Sequence, residues 1–366
     1  MIKNIQYKKL GEICDFVSGG TPSKSKNEYW KNGNIPWIKI SDFKEKYIKC
    51  SDEKITKNGL ENSSAKLLKK GTILYTIFAS VGKVAILDIE ATTNQAIVGV
   101  NLKENNLVDK DFLYYFLCSI ENNIKKQARG VAQNNNNINI SILKNVCIPI
   151  LPISSQKNIV KTLMRLEDIL ENFKQKQILI NFLSKSLFTT MFGDIKTNDK
   201  NWEIYYWKDV LNIKNGKNQK QVEDINGKYP IYGSGGIIGR SNAYICNENS
   251  IIIGRKGNIN KPILVKEKFW NVDTAFGLEV KSEKMSYHYL YYFCLFYDFE
   301  IHNKAVTIPS LVKSDLEKIV LPVPPIELQN KFAERIEKIA KLSFEIEEAI
   351  KEAENLYNSL ISKYFD

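Results

Sequence analysis

The chain carries one stretch of sequence twice, at a constant spacing. Pro149 and Pro322, Pro152 and Pro325, Gln156 and Gln329, Leu187 and Leu360, and Phe192 and Phe365 are each 173 positions apart. The first copy opens on Ile148-Pro-Ile-Leu-Pro-Ile-Ser-Ser-Gln156 and closes on Leu187-Phe-Thr-Thr-Met-Phe192. The second opens on Leu321-Pro-Val-Pro-Pro-Ile-Glu-Leu-Gln329 and closes on Leu360-Ile-Ser-Lys-Tyr-Phe365. A repeat that holds register without a gap over about forty-five residues is a duplicated structural unit. Any fold for this chain must use both copies alike.

Each copy reads as a long helix. Apolar residues fall at Ile159, Leu163, Leu166, Ile169, Phe173, Ile180, Leu183 and Leu187 in the first. In the second they fall at Leu328, Phe332, Ile336, Ile339, Leu342, Ile346, Ile350, Leu356 and Leu360. Steps that are mostly three or four make a coiled-coil-like seam, predicting helices over 155–191 and about 327–365. Pro149 and Pro152 precede the first helix, where a missing N–H costs nothing, and Gly193 ends it. Each seam is too apolar to stand in water, and its nearest mate is the other copy. Tandem copies pair about a pseudo-two-fold axis, so the helices are expected to run antiparallel and to hold a globule at either end. The expected helix-pair interface is Ile159, Leu163, Leu166, Phe173 and Leu183 with Phe332, Ile336, Ile339, Ile346 and Leu356. A helix of about 36 residues is roughly 54 Å long.

The segments between are strand-rich. Ile35-Pro-Trp-Ile-Lys-Ile alternates like a half-buried strand, and Gly71–Asp88 reads as a hairpin turning near Gly82. Asp111-Phe-Leu-Tyr-Tyr-Phe-Leu-Cys reads as a buried helix. Ser250-Ile-Ile-Ile-Gly-Arg-Lys-Gly parallels Gly71–Lys83, and Tyr289-Leu-Tyr-Tyr-Phe293 answers Phe112-Leu-Tyr-Tyr-Phe116. Offsets here drift from 173 to 177, so these segments carry insertions that the helices do not. The stretch Gly233–Gly239 has no evident counterpart in the first globule, where Ile35-Pro-Trp-Ile stands.

With 366 residues, two domains is the natural count. No apolar run reaches membrane-span length and no signal-peptide core opens the chain, so a cytoplasmic protein without a membrane partner is expected. Six cysteines are scattered without a C-x-x-C pair and read as reduced core residues. The two histidines, His288 and His302, have no ligand spacing, so no metal is expected. A net charge of +11 and a pI of about 9.1 favour a polyanionic partner. The second helix is acid-rich, which concentrates the surplus in the globules.

No cofactor loop or catalytic motif stands out. Val323-Pro-Pro-Ile lacks the polar and aromatic flanks of a methyltransferase motif. Gly233-Ser-Gly-Gly-Ile-Ile-Gly239 misses the dinucleotide spacing because position 238 is Ile. Asp52-Glu53-Lys54 and Asp194-Ile-Lys196 read as solvated charges rather than a nuclease centre. The chain therefore reads as non-catalytic, with no cofactor. What remains are cationic and amide-bearing loops, side chains that bind phosphate and read base edges. In the first globule these are Thr21, Ser23, Lys24, Lys26, Lys83, Arg129, Gln133, Asn134 and Asn135. In the second they are Arg240, Arg255, Lys256, Lys304 and Thr307.

These features together resemble the specificity subunit of type I restriction–modification systems over the whole chain. The matching text is Val17-Ser-Gly-Gly-Thr-Pro-Ser23 with Ile35-Pro-Trp-Ile-Lys-Ile-Ser-Asp42, Gly82-Lys83 with Thr93-Asn-Gln-Ala96, Tyr229-Pro-Ile-Tyr-Gly-Ser-Gly-Gly236, Gly254-Arg-Lys-Gly257, both junctions ending in Gln, and Ser186–Asp194. The resemblance implies an α+β chain, with two mixed α/β target recognition domains joined by two long antiparallel helices in a pseudo-two-fold tandem repeat. The bounds are 1–148 for the first recognition domain, 149–193 for the central helix, 194–321 for the second domain and 322–366 for the C-terminal helix. It also implies double-stranded DNA as ligand, two methyltransferase subunits docked on the helices, and restriction–translocation subunits joined indirectly. Because the globules differ at Gly233–Gly239, the target is expected to be asymmetric. The alternative is a helical assembly scaffold without sequence-specific DNA recognition.

Overall fold

The computed structural model describes residues 5–103, 107–121, 124, 138–305 and 307–365. Contacts divide the chain into two compact units, one running up to Asn172 and resuming at Ile350, the other Phe173–Ala349. The units therefore do not part at the bounds expected for separate helices. Each long helix gives one half to each unit.

In the first unit Gln6–Lys9 pairs antiparallel with Cys147–Ile150, placing Pro149 opposite Tyr7. Pro149 is thus a strand residue, tolerated because a two-stranded ribbon is all edge. A five-stranded sheet follows in the order Cys14–Ser18, Ile97–Leu102, Ile73–Thr76, Val84–Leu87 and Tyr47–Ile48. Ile73–Thr76 is buried along its whole length, as expected of a continuous apolar run covered on both faces. The hairpin turns through Gly82 at φ +96°, a conformation that excludes most side chains. Helix Lys110–Ser119 packs on the sheet, its first amides capped by the Asp109 carboxylate. A second sheet sets Ile35–Ile38 between Lys54–Ile55 and Thr92–Thr93.

The second unit repeats this plan. Glu203–Tyr206 pairs with Val320–Val323. A four-stranded sheet runs Leu211–Asn215, Ala275–Val280, Ser250–Gly254 and Ile263–Val265, and helix Tyr287–Phe296 is capped by Ser286. Strand Tyr229–Gly233 runs parallel to Trp270–Asn271, as Ile35–Ile38 does to Thr92–Thr93. Ile35-Pro-Trp-Ile and Tyr229-Pro-Ile-Tyr are therefore counterparts, and the divergence begins just after them. In the second unit the strand folds back on Gly236–Ser241 as a hairpin. In the first it enters a single helical turn at Ile40–Asp42.

The helices span Ile153–Phe192 and Ile326–Phe365, 40 residues each, or roughly 60 Å. Gly193 ends the first at φ +81°. Within the second unit Gln177 Nε2 donates to Ser343 Oγ at 2.7 Å, and the Phe188 and Phe332 rings meet edge to face at 5.7 Å. Numbers rise on one helix as they fall on the other, so the stretches are antiparallel. In the first unit Tyr357 donates to Glu167 at 3.1 Å, while Phe365 shares a core with Ile159 and Leu163. That pairing is antiparallel as well.

Ile159, Leu163, Phe332, Ile336 and Ile346 are buried, and Leu166, Phe173 and Ile339 half-buried. Leu183 and Leu356 are not interface residues, being 51% and 50% exposed. A 3.5-residue repeat places the seam one position later, at Ser184 and Tyr357. Ser184 is tolerated there because its hydroxyl donates to the Ile180 carbonyl at 3.1 Å. The six cysteines are free, but only Cys14, Cys246 and Cys294 are core residues; Cys50 and Cys147 are exposed.

Candidate nucleic-acid interface

Each globule is seated on its helix by one buried glutamine. Gln156 accepts the Asp109 N–H at 2.8 Å and donates to the carbonyls of Leu107 (2.8 Å) and Leu151 (2.7 Å). Gln329 accepts the Ser286 N–H at 2.8 Å and donates to the carbonyls of Lys284 (2.9 Å) and Pro324 (2.7 Å). Both side chains are fully buried, so every polar atom needs its partner. The junction glutamines were visible in the sequence, but their role was not.

The seated globules present equivalent loop sets at one sheet end. In the first unit Gly20 N–H bonds to Thr93, Ile77 N–H to Ala96, and Ile138 N–H to Ile77. In the second, Lys217 N–H bonds to Asn271, Arg255 N–H to Thr274, and Leu311 N–H to Arg255. The same wiring is built twice from different residues.

In the first unit the wiring gathers Thr21, Ser23, Lys24 and Lys26 on one loop. Trp37 and Trp30 staple that loop, donating to the carbonyls of Gly20 at 2.9 Å and Ser23 at 3.1 Å. Thr21 bonds to the Gln95 side chain, and Ser23 faces Ser25 at 2.8 Å. The Lys24 ammonium lies 3.4 Å from the centre of the Trp30 ring and pairs with Glu53, which also holds Lys39 at 2.6 Å. Lys24 and then Lys39 hold the Glu53 carboxyl below its usual range. Lys26 donates to the Tyr29 hydroxyl at 3.0 Å. Lys83 is not part of this group: it lines a separate 280 Å³ cleft with Lys44, Lys46, Tyr114, Cys118 and Glu121. Arg129, Gln133, Asn134 and Asn135 lie outside the described residues.

In the second unit exposed Arg255 and Lys256 follow strand Ser250–Gly254, with Arg255 over the Phe276 ring at 5.9 Å. Lys256 bridges to Ser310, and Gly257 N–H bonds to Pro309 at 2.9 Å, which brings the loop of Lys304 and Thr307 alongside. Lys304 is paired with Asp315. Arg240 has another task. Its Nε donates to the Gly227 carbonyl at 2.6 Å and its Nη2 to that of Lys228 at 2.7 Å, bracing the hairpin.

Sequence reasoning missed Trp30, Trp37, Lys39, Glu53 and Gln95. The signal was present in the tryptophans flanking Gly33, but pairing across the loop cannot be read from one strand of text. Among the described residues, neither unit gathers an acid–base or nucleophile constellation around these loops. They offer ammonium, guanidinium, hydroxyl and amide groups, which suit phosphate and base-edge contacts.

Two like domains with cation-bearing loop sets, each seated on long helices, define a duplicated nucleic-acid-recognition protein of the α+β class. The chain belongs to the type I restriction modification DNA specificity domain family, whose model matches residues 2–181 and again 199–354. The type I restriction enzyme MjaIX specificity subunit of Methanocaldococcus jannaschii is 26% identical over 403 aligned positions, covering 99% of this chain and 92% of its own. The EcoR124I/EcoR124II specificity subunit of Escherichia coli is 31% identical over 57% of this chain and 48% of its own. Among solved structures, the S subunit of a type I restriction–modification system from M. genitalium covers 100% of this chain and 98% of its own. Its TM-score is 0.63 at 18% identity, a likeness of fold. No helix among the described residues is long and apolar enough to cross a membrane.

Proposed function

We propose that this chain is the non-catalytic DNA-reading subunit of a cytoplasmic type I restriction–modification complex, recognising a bipartite, asymmetric target with one domain per half-site. The observation that carries this reading is the loop wiring built twice with different side chains. The first domain presents Thr21, Lys24 and Lys26 on a loop stapled by two indoles. The second presents Arg255 and Lys256 beside a hairpin that the first lacks. Like scaffolds with unlike reading surfaces suit unlike half-sites.

Two methyltransferase subunits dock on the helices and carry the restriction–translocation subunits indirectly. Ile178, Leu179, Phe182 and Leu183 support such docking, since all four are exposed apolar residues of the central helix. Half-sites read from one face of a duplex lie about one turn apart, ~34–36 Å, and the continuous helices set that spacing.

Methylome sequencing of the host with and without this gene is the direct test. Loss of one bipartite motif is expected, and a methylome unchanged by the deletion would reject the reading. Arg255→Ala is expected to cost roughly 1–3 kcal/mol of DNA binding and to relax one half of the motif only; unchanged recognition in both halves removes Arg255 from the interface. A four-residue insertion after Phe173 adds roughly 6 Å of helix. It is expected to change the spacer between half-sites or to abolish assembly, and an unaltered spacer would rule out a measuring role for the helices.

A further inference from the structure

We propose that Ile238 gives the second recognition domain an apolar contact for the 5-methyl group of a thymine in the major groove. This deepens the DNA-reading proposal above and rests on it.

The hairpin that carries Ile238 is held firmly at its base. Strand Tyr229–Gly233 is central, paired on one side with Gly236–Ser241 and on the other with Trp270–Asn271. Arg240 clamps the carbonyls of Gly227 and Lys228, and the Trp270 indole donates to the Lys217 carbonyl at 2.9 Å. Gly236, at φ +125°, closes the turn. On this fixed frame Ile237 and Ile238 are 62% and 55% exposed.

Single exposed isoleucines are ordinary on protein surfaces, so position matters more than exposure. A β-carbon placed on Gly233 would lie 3.7 Å from Ile238 Cγ2 and 3.9 Å from Thr274 Oγ1. Ile238 and Thr274 thus border one small space. The Thr274 carbonyl accepts the N–H groups of Arg255 at 2.8 Å and Lys256 at 3.2 Å. The isoleucine therefore stands at the edge of the cationic loop. Exposed Ile308 lies on the segment whose Pro309 and Ser310 tie to Gly257 and Lys256.

A two-stranded ribbon is one of the shapes that the major groove admits, and the thymine methyl is the apolar mark displayed there. A ribbon with a branched aliphatic side chain at the edge of a cationic loop matches that pattern. In the first unit the equivalent strand runs into Lys39, held by Glu53, and no ribbon forms. The contact belongs to one half-site only.

The test uses the full chain with its partner subunits and duplexes carrying the motif mapped in the host methylome. Deoxyuridine replaces thymidine in one half-site at a time, which removes only the methyl group. In the half that Arg255→Ala relaxes, uracil is expected to weaken binding about fourfold per contacted methyl, with no effect in the other half. Ile238→Ala should bind the thymine duplex about fourfold more weakly and lose the uracil sensitivity, while Ile238→Val should keep most of it. Four results overturn the contact: no thymine in that half-site, binding indifferent to uracil, sensitivity retained in Ile238→Ala, or weaker binding with loss of a DNA bend but no uracil effect, which would mark a wedge between base steps. Failure of the parent complex to bind the motif duplex at all overturns the DNA-reading proposal along with it.

Discussion

Gln329→Ala is expected to destabilise the second unit by about 3–4 kcal/mol, although the side chain touches neither a charge nor a ligand. Truncation strands the Pro324 carbonyl in a buried site and the Ser286 N–H and Lys284 carbonyl in partly buried ones. Each stranded group costs on the order of 1 kcal/mol or more. Hydrogen exchange of the Tyr287–Phe296 amides reads the effect, because that helix is capped by Ser286, the latch's own partner. Gln329→Glu keeps the acceptor but sets a carboxylate against two carbonyl oxygens, and should be worse at neutral pH. Burial and those oxygens raise the folded pKa of the introduced acid, so its protonated form is favoured in the folded state. Stability should therefore recover as pH falls and be lost again as pH rises. A loss below about 1 kcal/mol in Gln329→Ala would mean that water replaces the amide, and the latch would lose its importance.

Phe365→Ala should cost the first unit about 3 kcal/mol. Its ring lies 5.1 Å from that of Phe112 and 6.0 Å from that of Phe116, in the core that also holds Ile159 and Leu163. Removing a buried aromatic forfeits transfer energy and leaves a cavity. The matched control is Leu356→Ala, which changes an exposed residue on the same helix and should stay within roughly 0.5 kcal/mol. Equal losses in thermal unfolding would contradict the corrected seam. The second unit repeats the arrangement, with Phe192 set 4.9 Å from Tyr289.

The repeat register made most of the architecture legible. A gap-free 173-residue offset specifies two equal helices, and their 3.5-residue periodicity specifies a seam. Hydrophobicity alone points to Leu183 and Leu356, which are half exposed, whereas the smaller Ser184 occupies the buried position by bonding to its own helix. The junction strands are hidden in the sequence because Pro149 and Pro322 look like helix-entry punctuation, whereas their ribbon partners Tyr7 and Ile204 lie far away in sequence. The candidate site was only partly readable. Cationic loops announce themselves by composition, which is why Lys24 and Arg255 stand out as candidates. Whether a cation is free or committed depends on geometry. Arg240 is spent on two backbone carbonyls and Lys24 is shared with Glu53, neither of which composition reveals.

The paired glutamines have one more consequence. On the globule side each grips only main-chain atoms, the Leu107 carbonyl and Asp109 N–H in one unit and the Lys284 carbonyl and Ser286 N–H in the other. Leucine against lysine and aspartate against serine make no difference to the grip. The glutamine latch is therefore indifferent to the side chains of the turn it holds, whereas the aromatic seat beside it, Phe365 on Phe112 and Phe116 and Phe192 on Tyr289, is not. A foreign domain that kept that turn and the aromatic face of its capped helix would seat on the same helices without their redesign.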